Sequence, residues 1–283
     1  MANIKISADS TCDLSKEILD RFNITVIPLT VVSGDKSFKD GVDITTDEIF
    51  RITEESGKLC STSAVNVYDY TELFKNLLKD CDALIHVCIS SDFSTCYQNA
   101  CVAAKEFDGR VRVIDSRNLS TGMGHVVYNA ALLAQGNYDL DTIEKELIDL
   151  TSRVEASFVI DKLDYLKRGG RCSAVKAFGA SVLMLKPSIN VIDGKMTVGD
   201  TYRGSFEKCL KKYVRDRLEG RDDIEDDRIF ITYSSAAPET VAVVRKLVEE
   251  YGNFKEIIET RAGCTVACHC GPNTLGILFV RKK

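Results

Sequence analysis

The 283-residue chain has no tryptophan, four prolines and three histidines, and nothing in it resembles a membrane span. Its longest apolar stretch, Ala177 to Leu185, is nine residues between Lys176 and Lys186, about half of the ~20 that a hydrocarbon core requires. The opening residues carry Lys5 and Asp9 and lack the apolar run of a signal peptide, so a cytoplasmic protein without a transmembrane segment is expected. Positive charge is also short: 37 Lys and Arg against 42 Asp and Glu leave a net charge of −5, which argues against nucleic acid as a partner. No G-x-G-x-x-G or G-x-x-x-x-G-K-[ST] follows a strand, so nucleotide cofactors are disfavoured. Gly122-Met123-Gly124 is the nearest approach, and it reads as close backbone packing.

What is present is a well-mixed globular composition, 45% hydrophobic and 28% charged, which excludes disorder. Eleven cysteines, an odd number scattered from Cys12 to Cys270, fit free thiols in a reducing compartment better than a disulfide framework. Ile4 to Asp9 alternates as a strand, Ile24 to Val32 reads as another, and the continuous apolar run Ala83 to Ile89 suits a central parallel strand. Helices are expected where Ile18, Leu19 and Phe22 share a face, over Tyr70 to Leu78, Ser94 to Phe107 and Gly124 to Ala134, with a strand at Val111 to Ile114. This repeated strand, loop, helix order is α/β with a mainly parallel sheet. Near residue 155 the pattern changes: Ala156 to Ile160 is a strand, and Lys186 to Val198 reads as a hairpin turning at Asp193-Gly194. Ser205 to Leu218 and a segment opened by Pro238 are amphipathic helices. The expected architecture is therefore two domains, a mainly parallel α/β unit over 1–155 with a hairpin excursion near 33–45, and an α/β unit with antiparallel strands over 156–283.

Candidate chemistry lies in loops rich in hydroxyls: Asp9-Ser10-Thr11, Ser61-Thr62-Ser63, Ser90 to Thr95 and Asp115-Ser116. Each alone is best read as a helix cap, but four on one sheet edge suggest an anion pocket. His86 lies inside an apolar strand and is expected to be a satisfied core residue; His125 opens a helix and is expected at the surface. His269 stands in a loop-like tail before Gly271-Pro272, among Cys264, Cys268 and Cys270. Their C-x3-C-x-C spacing lacks the paired C-x2-C of zinc knuckles, so no metal is expected.

An ordered set of motifs then resembles the DegV family of bacterial fatty-acid-binding proteins from end to end. The set comprises Asp9-Ser10-Thr11-Cys12-Asp13-Leu14, Thr62-Ser63, Ser90-Ser91 with Phe93-Ser94 and Tyr97-Gln98, and Asp115-Ser116 with Ser120 and Gly122. It continues with Tyr165 to Arg171, Lys186-Pro187, Asp193-Gly194-Lys195 and His269-Cys270-Gly271-Pro272. The resemblance implies a ligand tunnel between the two domains, holding a long-chain fatty acid whose carboxylate is bound by Thr62, Ser94 and His269. It also implies a fatty acid kinase subunit as partner, with Arg171 and Arg203 in exposed segments available for docking, no catalytic residue and no cofactor; transient contact with a membrane surface is compatible with this role. Thr95-Cys96 stands where the family usually has Gly-Thr, and Tyr202-Arg203-Gly204 where it often has two arginines one residue apart. A second function class is a thiol or serine acyl hydrolase with Cys96 or Ser94 as nucleophile and His269 as base, against which stands the absence of a G-x-S-x-G elbow. A purely structural domain is the third.

Overall fold

A computed structural model describes residues 2–172 and 185–283, so all but Leu185 of the 177–185 apolar run lies outside the described residues. The chain begins with β1 (Ile4–Asp9) and α1 (Lys16–Arg21), then β2 (Thr25–Ile27), β3 (Thr30–Ser33), β4 (Lys36–Lys39), α2 (Thr46–Ser56), β5 (Ser61–Ser63) and α3 (Val67–Leu77). It continues through β6 (Ala83–Cys88), α4 (Cys96–Ala104), β7 (Val111–Asp115), α5 (Ser120–Gln135) and α6 (Leu140–Thr151). The remaining elements are β8 (Val154–Ile160), α7 (Leu163–Gly169), β9 (Leu185–Ile192), β10 (Lys195–Arg203), α8 (Phe206–Leu218), β11 (Arg228–Tyr233), α9 (Pro238–Tyr251), β12 (Glu256–Arg261), α10 (Cys264–Cys270) and β13 (Thr274–Val280).

β1, β2, β6 and β7 form a wholly parallel sheet of order β2-β1-β6-β7. Its chain order reverses between β1 and β6, and in open α/β sheets a crevice opens at the carboxyl ends of such a pair. Every residue of β6 is buried, as a central strand covered on both faces requires. The later part of the chain builds a six-stranded sheet of order β10-β9-β8-β13-β11-β12, antiparallel except for β11 with β12. The fold is thus α/β in two domains, one with the parallel sheet and one with the mixed sheet. Between the sheets runs α5, which packs against β1 and β6 on one side and β8, β11 and β13 on the other. A helix sandwiched this way must be apolar or small nearly all round, and α5 is buried from Ser120 to Tyr128 without a break. Gly124 is required there, because a Cβ would stand 2.8 Å from the Cys12 carbonyl oxygen.

Two expectations change. The segment Ile24 to Val32 is split into β2, in the parallel sheet, and β3, which pairs with β4 and β5 in a separate small antiparallel sheet. Pro28 sits at the break and has no N–H to continue a ladder. His125 is fully buried instead of exposed. Its Nε2 meets the Leu278 carbonyl oxygen at 2.9 Å, its ring stands edge-on to Phe230, and burial pulls its pKa down to about 3. The β9–β10 hairpin turns at Asp193-Gly194 as read, both with positive φ, the backbone that tight hairpin turns demand. Its tip leans on the parallel sheet, where Ser90 Oγ donates to the Gly194 carbonyl oxygen at 2.8 Å.

Candidate functional site

The hydroxyl-rich loops divide into two kinds. Ser10 Oγ accepts from Leu29 N and donates to Asp40, Thr11 Oγ1 donates to Met123 Sδ, and Ser116 Oγ donates to the Asn118 carbonyl oxygen. With Ser90 on the hairpin tip, these groups are spent on holding the fold and do not face a common pocket. Asp9 is likewise committed: its carboxylate accepts from Tyr70 Oη at 2.5 Å and Ile89 N at 3.0 Å, and His86 Nε2 lies 3.3 Å away. His86 Nδ1 pairs with Ser7 Oγ at 2.8 Å, so this histidine is the satisfied core residue expected. Asp9, His86 and Cys88 bring potential ligand atoms within 4.8 Å of one another, but the oxygens and ring nitrogens among them are already hydrogen-bonded.

The other kind opens on a small cavity of about 60 Å³ where the small sheet, α10, the loop after β6 and the β10 strand converge. Thr62, Ser94 and His269 all line it, together with apolar Leu29, Ile89 and Phe93. A second cavity, of about 30 Å³, adjoins it, sharing Leu119, Val266 and Cys270, and runs between α5 and the mixed sheet past Phe158 and Leu278. A polar mouth backed by an apolar depth suits an amphipathic ligand with one anionic end.

Thr62 lies on β5, opposite Val31 of β3, rather than in a loop. His269 lies on the last turn of α10, where a loop was expected. The two meet, Thr62 Oγ1 to His269 Nε2 at 2.8 Å. His269 Nδ1 is buried and has no partner among the described residues, and a Cβ on Gly169 would stand 2.5 Å from it. A proton on Nε2 finds an acceptor in Thr62, whereas one on Nδ1 would be stranded, which assigns the Nε2–H tautomer. Burial, and next the nearby Arg171 charge, lower the His269 pKa to about 4, so the ring is neutral at physiological pH. With the imidazole donating to Thr62, the Thr62 hydroxyl proton is free to point at an anion in the cavity.

Ser94 precedes α4, and its Oγ accepts from Cys96 N at 3.3 Å while donating to Cys96 Sγ at 3.1 Å. It faces the shared cavity but is not hydrogen-bonded to Thr62 or His269. This geometry also counts against the hydrolase reading. Cys96 is fully buried and its thiol is pushed up to about 11 by burial and by Asp9, and among the described residues the His269 ring is hydrogen-bonded to Thr62, not to Ser94 or Cys96. The hydrogen bond from base to nucleophile that such a mechanism uses is thus not formed here. Cys264, Cys268 and Cys270 do not gather around His269 either: Cys264 Sγ donates to the Ile44 carbonyl oxygen, Cys268 packs in the cluster under the small sheet, and Cys270 lines the cavity.

The two arginines part company. Arg171 lines the head of the cavity, because α7 ends at Gly169 and Gly170, at φ +69°, turns the chain back over His269. Its side chain is exposed and donates to the Gly169 carbonyl oxygen at 2.7 Å. Arg203 ends β10, seven residues from cavity-lining Met196, or roughly 23 Å along the strand at ~3.3 Å per residue. The family resemblance placed both in exposed segments, and both are exposed; the Gly169-Gly170 pair is the feature from which the fold of Arg171 over the histidine could have been read. Met196 and Thr265 line the cavity without any sequence signal.

Comparisons with known proteins agree with this architecture. Residues 3–282 match a family model described as "Uncharacterised protein, DegV family". A DegV domain-containing protein of Clostridium perfringens is 33% identical over 285 residues, covering 100% of both chains. Among solved structures, a fatty-acid-binding DegV family protein from Thermus thermophilus superposes with a TM-score of 0.89 at 29% identity, covering 99% of each chain. A stearic acid-binding protein from Eubacterium ventriosum gives 0.84 at 26% identity, over 99% of this chain and 98% of that one. The chain belongs to the DegV family.

Proposed function

We propose that this chain is a non-enzymatic carrier of a long-chain fatty acid, with the acyl chain in the cavity between the two domains and the carboxylate at its mouth. The observation that carries this is a pair of neighbouring cavities that share Leu119, Val266 and Cys270, the outer lined by Thr62, Ser94, His269 and Arg171 and the inner mainly apolar. Solved relatives at 26% and 29% identity, described as binding stearic acid and fatty acid, support it. The donors suit a carboxylate: Thr62 supplies a hydroxyl oriented by the neutral imidazole, and Arg171 supplies positive charge at the exposed side. Burying ~15 methylenes at ~0.8 kcal/mol each contributes roughly 12 kcal/mol before the cost of ordering ligand and loops. Tight binding thus comes from the tail, while the head group fixes orientation.

In the finer reading, the domain boundary falls near residue 155, the protein resides in the cytoplasm, and the exposed carboxylate end is presented to a fatty acid kinase for acyl phosphate formation. Arg203 is then the docking residue, being exposed and remote from the ligand, and Arg171 belongs to the head-group site.

The test uses the full-length chain. Native mass spectrometry of protein purified from cells, followed by titration of delipidated protein with stearate, should give one equivalent of retained acid. Incubation with p-nitrophenyl acyl esters should give no multiple turnover. Failure to retain stearate overturns the carrier, and sustained ester turnover replaces it with a hydrolase.

A further inference from the structure

Helix α10 has only seven residues, yet it carries His269 and lines the cavity with Thr265, Val266 and Cys270. It begins without a cap of its own, since Gly263 at the N-cap has no side chain. Its opening amides are taken instead by two aspartate side chains from the start of the chain. Asp13 Oδ1 accepts from Gly263 N at 2.9 Å, while Asp40 Oδ1 and Oδ2 accept from Cys264 N at 2.8 Å and Thr265 N at 3.2 Å. Each carboxylate is fixed from behind. Ser120 Oγ at the start of α5 is hydrogen-bonded to Asp13 Oδ2 at 2.6 Å, and Ser10 Oγ donates to Asp40 Oδ2 at 2.9 Å. Ser10 Oγ also accepts from N of cavity-lining Leu29, whose carbonyl oxygen accepts from Asp40 N. Gly263 is the residue that lets the carboxylates close in: a Cβ there would lie 2.9 Å from Asp13 Oδ1 and 3.4 Å from Asp40 Oδ1.

We propose that Asp40 and Asp13 are positioning residues for the head-group site, seating α10 from across the fold so that His269 meets Thr62. The helix has other attachments on the side of α2, where Arg261 pairs with Asp47, Thr46 Oγ1 donates to the Ala262 carbonyl oxygen at 2.9 Å and Cys264 Sγ donates to that of Ile44. Loss of a carboxylate therefore leaves α10 attached but free to pivot. At ~1.5 Å rise per residue the helix is ~10 Å long, so a tilt of ~10° displaces its far end by ~1.7 Å, enough to break a hydrogen bond. A pivot at Asp40 is thus read out at His269. Neither aspartate touches the cavity-facing atoms of Thr62 or His269, so the role is positioning and not ligation.

The ligand arm of this inference rests on the fatty-acid reading above; the structural arm does not. The variants are Asp40→Ala, Asp40→Asn and Gly263→Ala, the last keeping both carboxylates while forcing them apart from the helix. The chain holds three histidines, so nitrogen-15 spectra of histidine-labelled protein resolve His269, assigned with His269→Gln. The expected result is a shift of the His269 Nε2 resonance in Asp40→Ala and Gly263→Ala with cooperative melting retained, and stearate affinity lowered at least about tenfold, the factor that ~1.4 kcal/mol makes. Asp40→Asn, which keeps one acceptor oxygen, should fall between wild type and Asp40→Ala. If Asp40→Ala does not fold, Asp40→Asn and Gly263→Ala decide the matter. An unmoved His269 resonance in the folded variants overturns the inference, as does wild-type stearate affinity in all of them. If wild-type protein itself fails to retain stearate, the carrier reading falls, and the His269 resonance still decides whether Asp40 seats the helix.

Discussion

Thr62→Val isolates the hydroxyl at the centre of the site. Valine is nearly isosteric, and a β-branched residue suits the strand position opposite Val31, so the small sheet should be undisturbed. Two things are lost: the hydroxyl proton available to a carboxylate, and the acceptor for His269 Nε2–H, 2.8 Å away in the native site. A hydrogen bond to a charged group contributes about 1.5–3 kcal/mol. The freed Nε2–H can turn to the carboxylate itself and recover part of this, so the net loss should sit near the lower figure, about tenfold in affinity. Ser94→Ala should cost less, because Ser94 Oγ is already engaged with Cys96 N and Sγ. The assay is calorimetric titration of delipidated protein with stearate, with thermal melting as the control for folding. Affinity within about twofold of wild type, under ~0.5 kcal/mol, would refute the assignment of Thr62 as a carboxylate donor. A loss confined to Ser94→Ala would move the head group toward α4.

Asp13→Asn should change the pH dependence of stability. Burial, opposed by the Ser120 and Gly263 hydrogen bonds and reinforced by Asp40, raises the Asp13 pKa from 3.8 to about 8, and Cys12 and Cys270 are the other titratable groups beside it. The folded state thus binds a proton that the unfolded state releases, so wild-type stability from this group is full below pH 3.8 and is lost as pH rises to about 8. Asparagine accepts the left-handed backbone at this position, φ +50°, and keeps an acceptor for Gly263 N. The stability of Asp13→Asn relative to wild type should therefore climb between pH 4 and pH 8 in denaturant titrations, and a flat difference would show that Asp13 is ionised throughout. Arg171→Ala should lower stearate affinity by a small multiple, since the guanidinium lines the cavity, whereas Arg203→Ala should leave it unchanged while reducing kinase-dependent acyl phosphate formation; parallel loss of lipid binding in both would place both in the pocket.

Local signals located most of the elements because they depend on neighbours in the chain. The alternation of Ile4 to Asp9, the apolar run at 83–89 and the Asp193-Gly194 turn each became what their periodicity or turn chemistry demanded. So did the helix opened by Pro238, which occupies its first turn. The failures are those where a distant partner decided. A run such as Ile24 to Val32 looks uniform in hydropathy, and only Pro28 marks that its two halves belong to different sheets. His125 looks like a polar helix start until Leu278, 153 residues later, supplies a carbonyl oxygen for its ring.

The site shows the same division in a sharper form. Thr62, Ser94 and His269 could be named because each stands in a motif of the family pattern, and the structure brings all of them to one cavity. That His269 lies on a helix could not be read, for a reason specific to α10. Seven residues are too few to be stable as an isolated helix, and the usual signature, a Ser, Thr, Asp or Asn at the N-cap, is missing because Gly263 occupies it. The caps exist, but they are Asp13 and Asp40, 250 and 224 residues away from the amides that they accept. Asp9-Ser10-Thr11 therefore counted among the loops suggesting an anion pocket, when the aspartate just beyond it, Asp13, serves a helix that the chain has not yet reached. Function in this molecule is assembled by such contacts: α10 and the histidine on it come from the end of the chain, and the carboxylates that set their place come from its start.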